Sequence, residues 1–422
     1  MMLFENARLI DPASGRDEFG ALRVRDGLIE EIGPDLDAHD DEQVIDVKGA
    51  VLAPALIDMR CTADPASNGA RGVDAAARAA AAGGVATLVL SPESGGGFRT
   101  PEDIAAVNAA ALTSAVRLYA AGLCVSSPED MAEIGLMLRA GALYLGDGGQ
   151  PVADTRLARR VLAYAGGFDA WVSLRPEDYG LSRGTVATES DLSMRLGLPA
   201  RPAQSETMAL KRDAALATLT GARLIFDRVT TQDALEAARA ARQDGLEVAV
   251  TVPVSHLSFN EMDTGGLDPR YRLEPPLRSE SDRQALIDAL SAGRIDAVVS
   301  DHVALTNEAK AHPFPEAESG SATLEALLPV LCGLAEDGRM SLAEALRPVT
   351  SGPADILGLE QGRLEEGAPA DLVVFDPHAP FVYGRGVMQC RAPSAFSGRR
   401  LFGRTLITVA EGAIIHQLED EE

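Results

Sequence analysis

Eight apolar runs recur through the middle of the chain, each too continuous to line only one face of a sheet, and they restrict the fold more than any other feature. They occupy residues 53–60 (APALIDMR), 85–91 (VATLVLS), 116–125 (VRLYAAGLCV), 142–147 (ALYLGD), 170–175 (AWVSLR), 223–229 (RLIFDRV), 247–254 (EVAVTVPV) and 296–301 (DAVVSD). Alanine-rich segments of helical pattern lie between them, among them DAAARAAAAGG, PEDIAAVNAAALTS, PEDMAEIGLMLRAG, DTRLARRVLAYAGG and SDRQALIDALSAG. Several open on Ser, Thr or Asp and close on Gly, as helix termini prefer. Strands buried on both faces and alternating with helices predict a parallel sheet, and eight such units predict a closed (β/α)8 barrel. An open doubly wound sheet is the alternative, but it would ordinarily carry a glycine-rich phosphate loop, and neither GxGxxG nor GxxxxGK[ST] occurs.

The two ends have another rhythm. FENARLID, GALRVRD, GLIEEIG and EQVIDVKGAVL alternate apolar and polar residues between turn signals, and QGRLEEGAPADLVVFDP and RTLITVAEGAIIHQ do the same near the C-terminus. The expected organisation is a small composite β-sandwich from residues 1–52 and 360–422, flanking a barrel over 53–359.

Charge narrows the function. With 38 Lys+Arg against 63 Asp+Glu the formal net charge is −25. Phosphate backbones and anionic membranes recruit clustered cations, so neither nucleic acid nor a membrane is expected as a partner. The start has no basic segment ahead of an apolar run, so a cytoplasmic location is expected. Cys61, Cys124, Cys332 and Cys390 have no zinc-like spacing, and none of the six histidines lies three or four residues from another.

Barrels of this kind place chemistry at the C-terminal ends of their strands. Those ends supply Asp58, Arg60, Thr62, Glu93, Asp147, Arg175, Arg228, His256, Asp301 and His302. In these residues, in PALIDM at 54–59, in residues 133–165 and above all in EPPLRSESDRQALIDALSAGRIDAVVSDH at 274–302, the chain resembles dihydroorotases and allantoinases of the amidohydrolase superfamily. The closing RAPSAFSGRRLFGRTLITVAEG resembles the family's C-terminal sandwich.

The resemblance implies one or two divalent metals that make hydroxide from water and polarise an amide carbonyl. It also shows where this chain departs. The family's HxH pair is matched by Arg60 and Thr62, and its histidines after strands five and six by Arg175 and Arg228. The bridging strand-four ligand falls near Asp147 or Gly148, and only the strand-eight aspartate survives, as Asp301. At substrate positions, the family's arginine is matched by Asp64, its asparagine by Glu93 and its last histidine by Leu305. A guanidinium cannot give up its proton to hold a metal, so zinc is expected to be lost and no catalytic residue is expected beyond a vestigial Asp301. The structural reading of Asp301 is an ion-pair partner for the arginines, and at least one of Arg60, Arg175 and Arg228 is expected to bridge to Asp58, Asp147 or Asp301. His256 and His302 read as packed, hydrogen-bonded histidines, and the acidic tail Glu419–Glu422 as a solvated end.

Fold kept and site dismantled point to a dihydroorotase-like pseudoenzyme. The resemblance implies a subunit that assembles with the aspartate transcarbamoylase catalytic subunit in pyrimidine biosynthesis, as a homo-oligomer within a larger complex. The alternatives are a cyclic-amide hydrolase working from a rearranged, metal-poor site, and a sensor that binds a small anion through its arginines.

Overall fold

The computed structural model describes residues 1–40, 42–63, 70–384 and 386–419. Its centre is the barrel. The first strand, Leu56–Thr62, pairs in parallel with Val85–Leu90, and that strand with Arg117–Ala120. The third strand resumes as Gly122–Leu123, and the ring continues through Leu145–Gly146, Trp171–Leu174, Arg223–Phe226, Val248–Pro253 and Ala297–Val299. The eighth strand is broken at Ser300–Asp301 and resumes as His302–Val303, which pairs with Cys61–Thr62 and closes the ring. The (β/α)8 expectation therefore holds: each of the eight apolar runs contributes a strand, though the first strand runs on to Thr62 and the resumed part of the eighth, His302–Val303, lies just past its run.

Helices coat this ring where their termini are chemically marked. Thr100 and Asp103 form a capping box ahead of Pro101–Ala111, Asp154 caps Thr155–Gly166, Thr231 caps Gln232–Gln243 and Ser279 caps Glu280–Ser291. Each such cap satisfies backbone N–H groups that the helix cannot pair internally. One expectation is corrected: in PEDMAEIGLMLRAG only Ile134–Ala140 is helical. Upstream, Met131 bridges to Val125, and the Ser127 hydroxyl accepts from the Glu129 and Asp130 N–H groups, so that segment turns instead of coiling.

The terminal segments share one eight-stranded sheet. Val51–Pro54 joins its halves, pairing in parallel with Met2–Asp11 and antiparallel with Leu372–Val382. Phe4, Leu9, Leu22, Val24, Ile29, Leu52, Leu372 and Val374 form its own apolar core, separate from that of the barrel, as in a β-sandwich. No helix among the described residues is long and apolar enough to cross a membrane.

Loops at the C-terminal mouth carry the structure the strand pattern does not announce. Between the fifth and sixth strands, Tyr179–Ser182, Asp191–Leu196 and a two-stranded sheet of Ala187–Thr188 with Ala200–Arg201 form an insert. The loop after the eighth strand seats Phe314 against Val186, Ala187 and Leu198 of that insert. Lys310 ties the same loop down by donating to the carbonyls of Pro269, Arg272 and Glu318 at 2.9, 3.0 and 2.7 Å.

Candidate functional site: an ion-pair network at the barrel mouth

At the end of the first strand the Arg60 guanidinium enters the mouth and meets three carboxylates. It pairs with Glu93, with Asp301 at 3.0 Å and with Asp227 at 3.4 Å. Arg228, at the end of the sixth strand, pairs with Asp227 at 3.0 Å and Asp301 at 3.2 Å, so two guanidiniums share two aspartates. Backbone geometry makes this possible. Arg228 and Asp301 adopt left-handed φ values of 58° and 49°, uncommon for residues with a Cβ and costing of order 1–3 kcal/mol each. At Asp301 this turn coincides with the break in the eighth strand.

Arg60, Asp227 and Arg228 are all buried. Burial opposes the charge on Arg60, but Glu93, Asp227 and Asp301 outweigh it and hold the guanidinium firmly protonated. Burial likewise pushes the Asp227 carboxyl upward, and Arg60 and Arg228 reverse that and keep it below its ordinary value.

A second cluster lies beside the first. Arg175 pairs with Glu177 at 3.0 Å and Glu274 at 3.3 Å, and Arg201 pairs with Glu177 and, at 2.8 Å, with Glu274. The clusters touch where Arg228 donates to the Glu274 carbonyl at 3.0 Å. Burial opposes the charge of Glu274, but Arg175, Arg201 and Arg272 hold its carboxyl well below the usual range.

The expected pairing of an arginine with Asp301 is thus present for Arg60 and Arg228, while Arg175 turns to glutamates instead. Among the described residues Asp58 and Asp147 take no guanidinium. Asp58 accepts from the Ser300 N–H at 3.0 Å, the Ser300 hydroxyl at 2.5 Å and the Arg60 N–H at 3.2 Å. Asp147 accepts from the Arg175 N–H at 2.8 Å and the Gly149 N–H at 2.9 Å. Burial raises both carboxyls to about 6. Thr62 shares its hydroxyl with Ser91 at 2.8 Å, and Leu305 is buried. Asp64 lies outside the described residues, as does all of the acidic tail but Glu419.

The histidines are structural in their contacts. His302 Nδ1 accepts from the Thr323 and Leu324 N–H groups at 3.0 and 3.2 Å, and His256 Nε2 lies 3.2 Å from the Pro276 carbonyl. Burial lowers both to about 4, so the rings are neutral at pH 7. Four participants escaped the sequence reading: Asp227, Glu177, Arg201 and Glu274. Two of them stood close to residues already singled out, Asp227 directly before Arg228 and Glu177 two residues after Arg175.

A zinc site needs several imidazole, thiolate or carboxylate donors converging on one point. Here three of the positions that the resemblance matches to family histidines carry guanidiniums, Thr62 is committed to Ser91, and Asp301 already accepts from two arginines. Among the described residues no group of three or more His, Cys, Asp or Glu could hold a metal ion. The residues present do not fit zinc.

A strand-ended barrel with an appended β-sandwich and a polar cluster at its mouth defines a class, and comparison agrees with it. Residues 190–401 match the model of the amidohydrolase family, and the chain belongs to that family. It is 32% identical over 428 residues to a dihydroorotase of Anaeromyxobacter dehalogenans, covering 99% of this chain and 98% of that protein. It is also 32% identical over 415 residues to a dihydroorotase-like protein of Pseudomonas aeruginosa, covering 97% and 98% of the two chains. In fold it resembles the L-hydantoinase of Arthrobacter aurescens, with a TM-score of 0.87 at 21% identity over 99% of this chain and 96% of that one.

Proposed function

We propose that this chain is a dihydroorotase-like member of the family without hydrolase turnover, and that it serves in the cytoplasm as a subunit supporting aspartate transcarbamoylase in pyrimidine biosynthesis. The observation that carries the first half is the Arg60 guanidinium held among Glu93, Asp227 and Asp301. A fixed cation with five donors takes over the charge balance that a divalent ion would provide, and it cannot deliver hydroxide. The transcarbamoylase partnership rests on the family resemblance and on nothing in the geometry.

A second reading is an active cyclic-amide hydrolase, favoured by the dihydroorotase relatives that match almost end to end. It would use Asp301 as a metal-free general base. Two guanidinium contacts on one Asp301 oxygen oppose that, because they occupy the lone pairs that a general base would turn toward its substrate. Two measurements separate the readings. The chain, purified from a host lacking its own dihydroorotase, is assayed for cyclisation of carbamoyl aspartate, and the tagged chain is used as bait in lysate of its own cells. The proposal expects background turnover and co-purifying transcarbamoylase. Turnover abolished by Asp301→Asn defeats the first half, and a bait that brings down no transcarbamoylase defeats the second.

A further inference from the structure

A cavity of about 570 Å³ opens apart from the ion-pair network, walled by helix Ala70–Ala82, the loop after the eighth strand and the segment 389–392. That size is ordinary for a small-molecule site. None of Arg60, Arg175, Arg228 and Asp301 lines it. Its cations are Arg78, on the helix, and Arg391. Among the described residues neither has an ion pair, whereas the arginines of the mouth are all paired. His302 supplies a further donor: it is only 1% exposed, yet it lines the cavity. Because its Nδ1 accepts from the Thr323 and Leu324 N–H groups, the ring proton stands on Nε2, and among the described residues that N–H has no acceptor. A buried donor without an acceptor is a standing cost that a ligand oxygen would remove.

The walls are fixed before any ligand arrives. The Glu325 carboxylate accepts from the Gln389 and Cys390 N–H groups at 2.9 and 2.8 Å and so holds the segment that carries Arg391. Lys310 ties down the loop that brings Leu305 and Glu308 to the cavity. A site assembled in advance loses less on binding. We propose that this cavity binds a small oxyanion, the carboxylate or phosphate group of a metabolite, with Arg78 and Arg391 as its cations and the His302 Nε2–H as a neutral donor. Guanidiniums match both groups with paired, charge-assisted hydrogen bonds, and Leu305 gives the body of the ligand an apolar wall. Glu308 lines the cavity too, and its carboxylate opposes the anion and weakens the site. Arg78 and Arg391 are not among the arginines that the strand ends singled out, and the inference holds whether or not the chain turns over a substrate.

The chain's net charge of −25 repels anions at long range, but at about 0.15 M salt the screening length is about 8 Å and the nearby guanidiniums decide. The test is calorimetric titration of the full chain at that salt with sodium phosphate and, separately, with sodium succinate. At least one of the two should bind saturably at one site per chain, and which one does so tells a phosphate-bearing ligand from a carboxylate-bearing one. Arg78→Ala and Arg391→Ala should each weaken binding by about tenfold, with circular dichroism unchanged. Glu308→Gln should tighten it by about threefold, a gain that a residue with a merely structural role would not give. In chain labelled with 15N-histidine, the His302 Nε2–H resonance should move as the anion binds. Failure of both anions to bind the wild-type chain overturns the proposal. So does binding that survives Arg78→Ala/Arg391→Ala, which places the anion elsewhere, or binding that leaves the His302 resonance where it was.

Discussion

Among the described residues Asp58, on the same strand as Arg60, has no cation of its own. Its carboxylate accepts three bonds from Ser300 and Arg60, yet burial outweighs them and lifts the carboxyl from an ordinary 3.8 to about 6. Between those values the folded chain holds a proton that the unfolded chain has released. Its contribution to stability is therefore full below about pH 4 and is lost as pH rises through about 6, at roughly 1.4 kcal/mol for each pH unit crossed. Asp227 has the opposite sign: its lowered carboxyl stabilises above the unfolded value, and that is lost on acidification. Since the two oppose each other, the informative quantity is a difference. Urea denaturation of wild type and Asp58→Asn should show the wild-type advantage shrinking between pH 4 and 6, then levelling. An advantage that grows over that range means Asp58 is ionised and stabilising in the fold.

At the scale of elements, the polar ties are as ordered as the strands. Glu206, in the first turn of helix Gln204–Thr220, accepts from the N–H groups of Thr230 and Thr231 at 2.7 and 3.0 Å, from both hydroxyls, and from Arg278 at 3.1 Å. One carboxylate thus pins that helix to the loop after the sixth strand and to the segment before helix Glu280–Ser291. Glu206→Ala leaves a buried guanidinium and two backbone donors without their acceptor, and should cost about 3–5 kcal/mol. Glu206→Gln, which keeps the packing and one acceptor, should cost less; equal losses would mean that the lost charge, and not packing, sets the effect. Such ties were not legible in the sequence. The barrel was, because eight doubly buried strands impose their own apolar period wherever they stand. Asp227 was hidden for a geometric reason: neighbours on a strand point to opposite faces, and only the left-handed turn at Arg228 brings both side chains into the mouth. Arg201 and Glu274 are 73 residues apart, and nothing local to either names the other. The arginines at 60, 175 and 228 were legible through the family resemblance, whereas their partners depended on loops whose course no pattern fixed.

For the whole molecule, the mismatch between mouth and metal has a thermal consequence. A ligand that binds only the folded state at 100 times its dissociation constant adds about 2.7 kcal/mol and raises the melting temperature. Melting in excess zinc and in excess chelator should coincide for this chain, and a rise with zinc that Asp301→Ala removes would show a competent site. The same network also limits how the mouth can change by single substitutions. Its arginines and carboxylates are coupled, so the value of each residue depends on the others being present. Changing Arg60 alone to histidine removes the cation that faces Glu93, Asp227 and Asp301. Unpairing a buried ion costs about 3–5 kcal/mol, a large share of the roughly 5–15 kcal/mol by which domains are stable. Replacing Arg60 by a metal ligand therefore leads through a less stable protein before any metal could repay it. A barrel mouth whose charge balance is built from guanidiniums is held to that arrangement by its own fold.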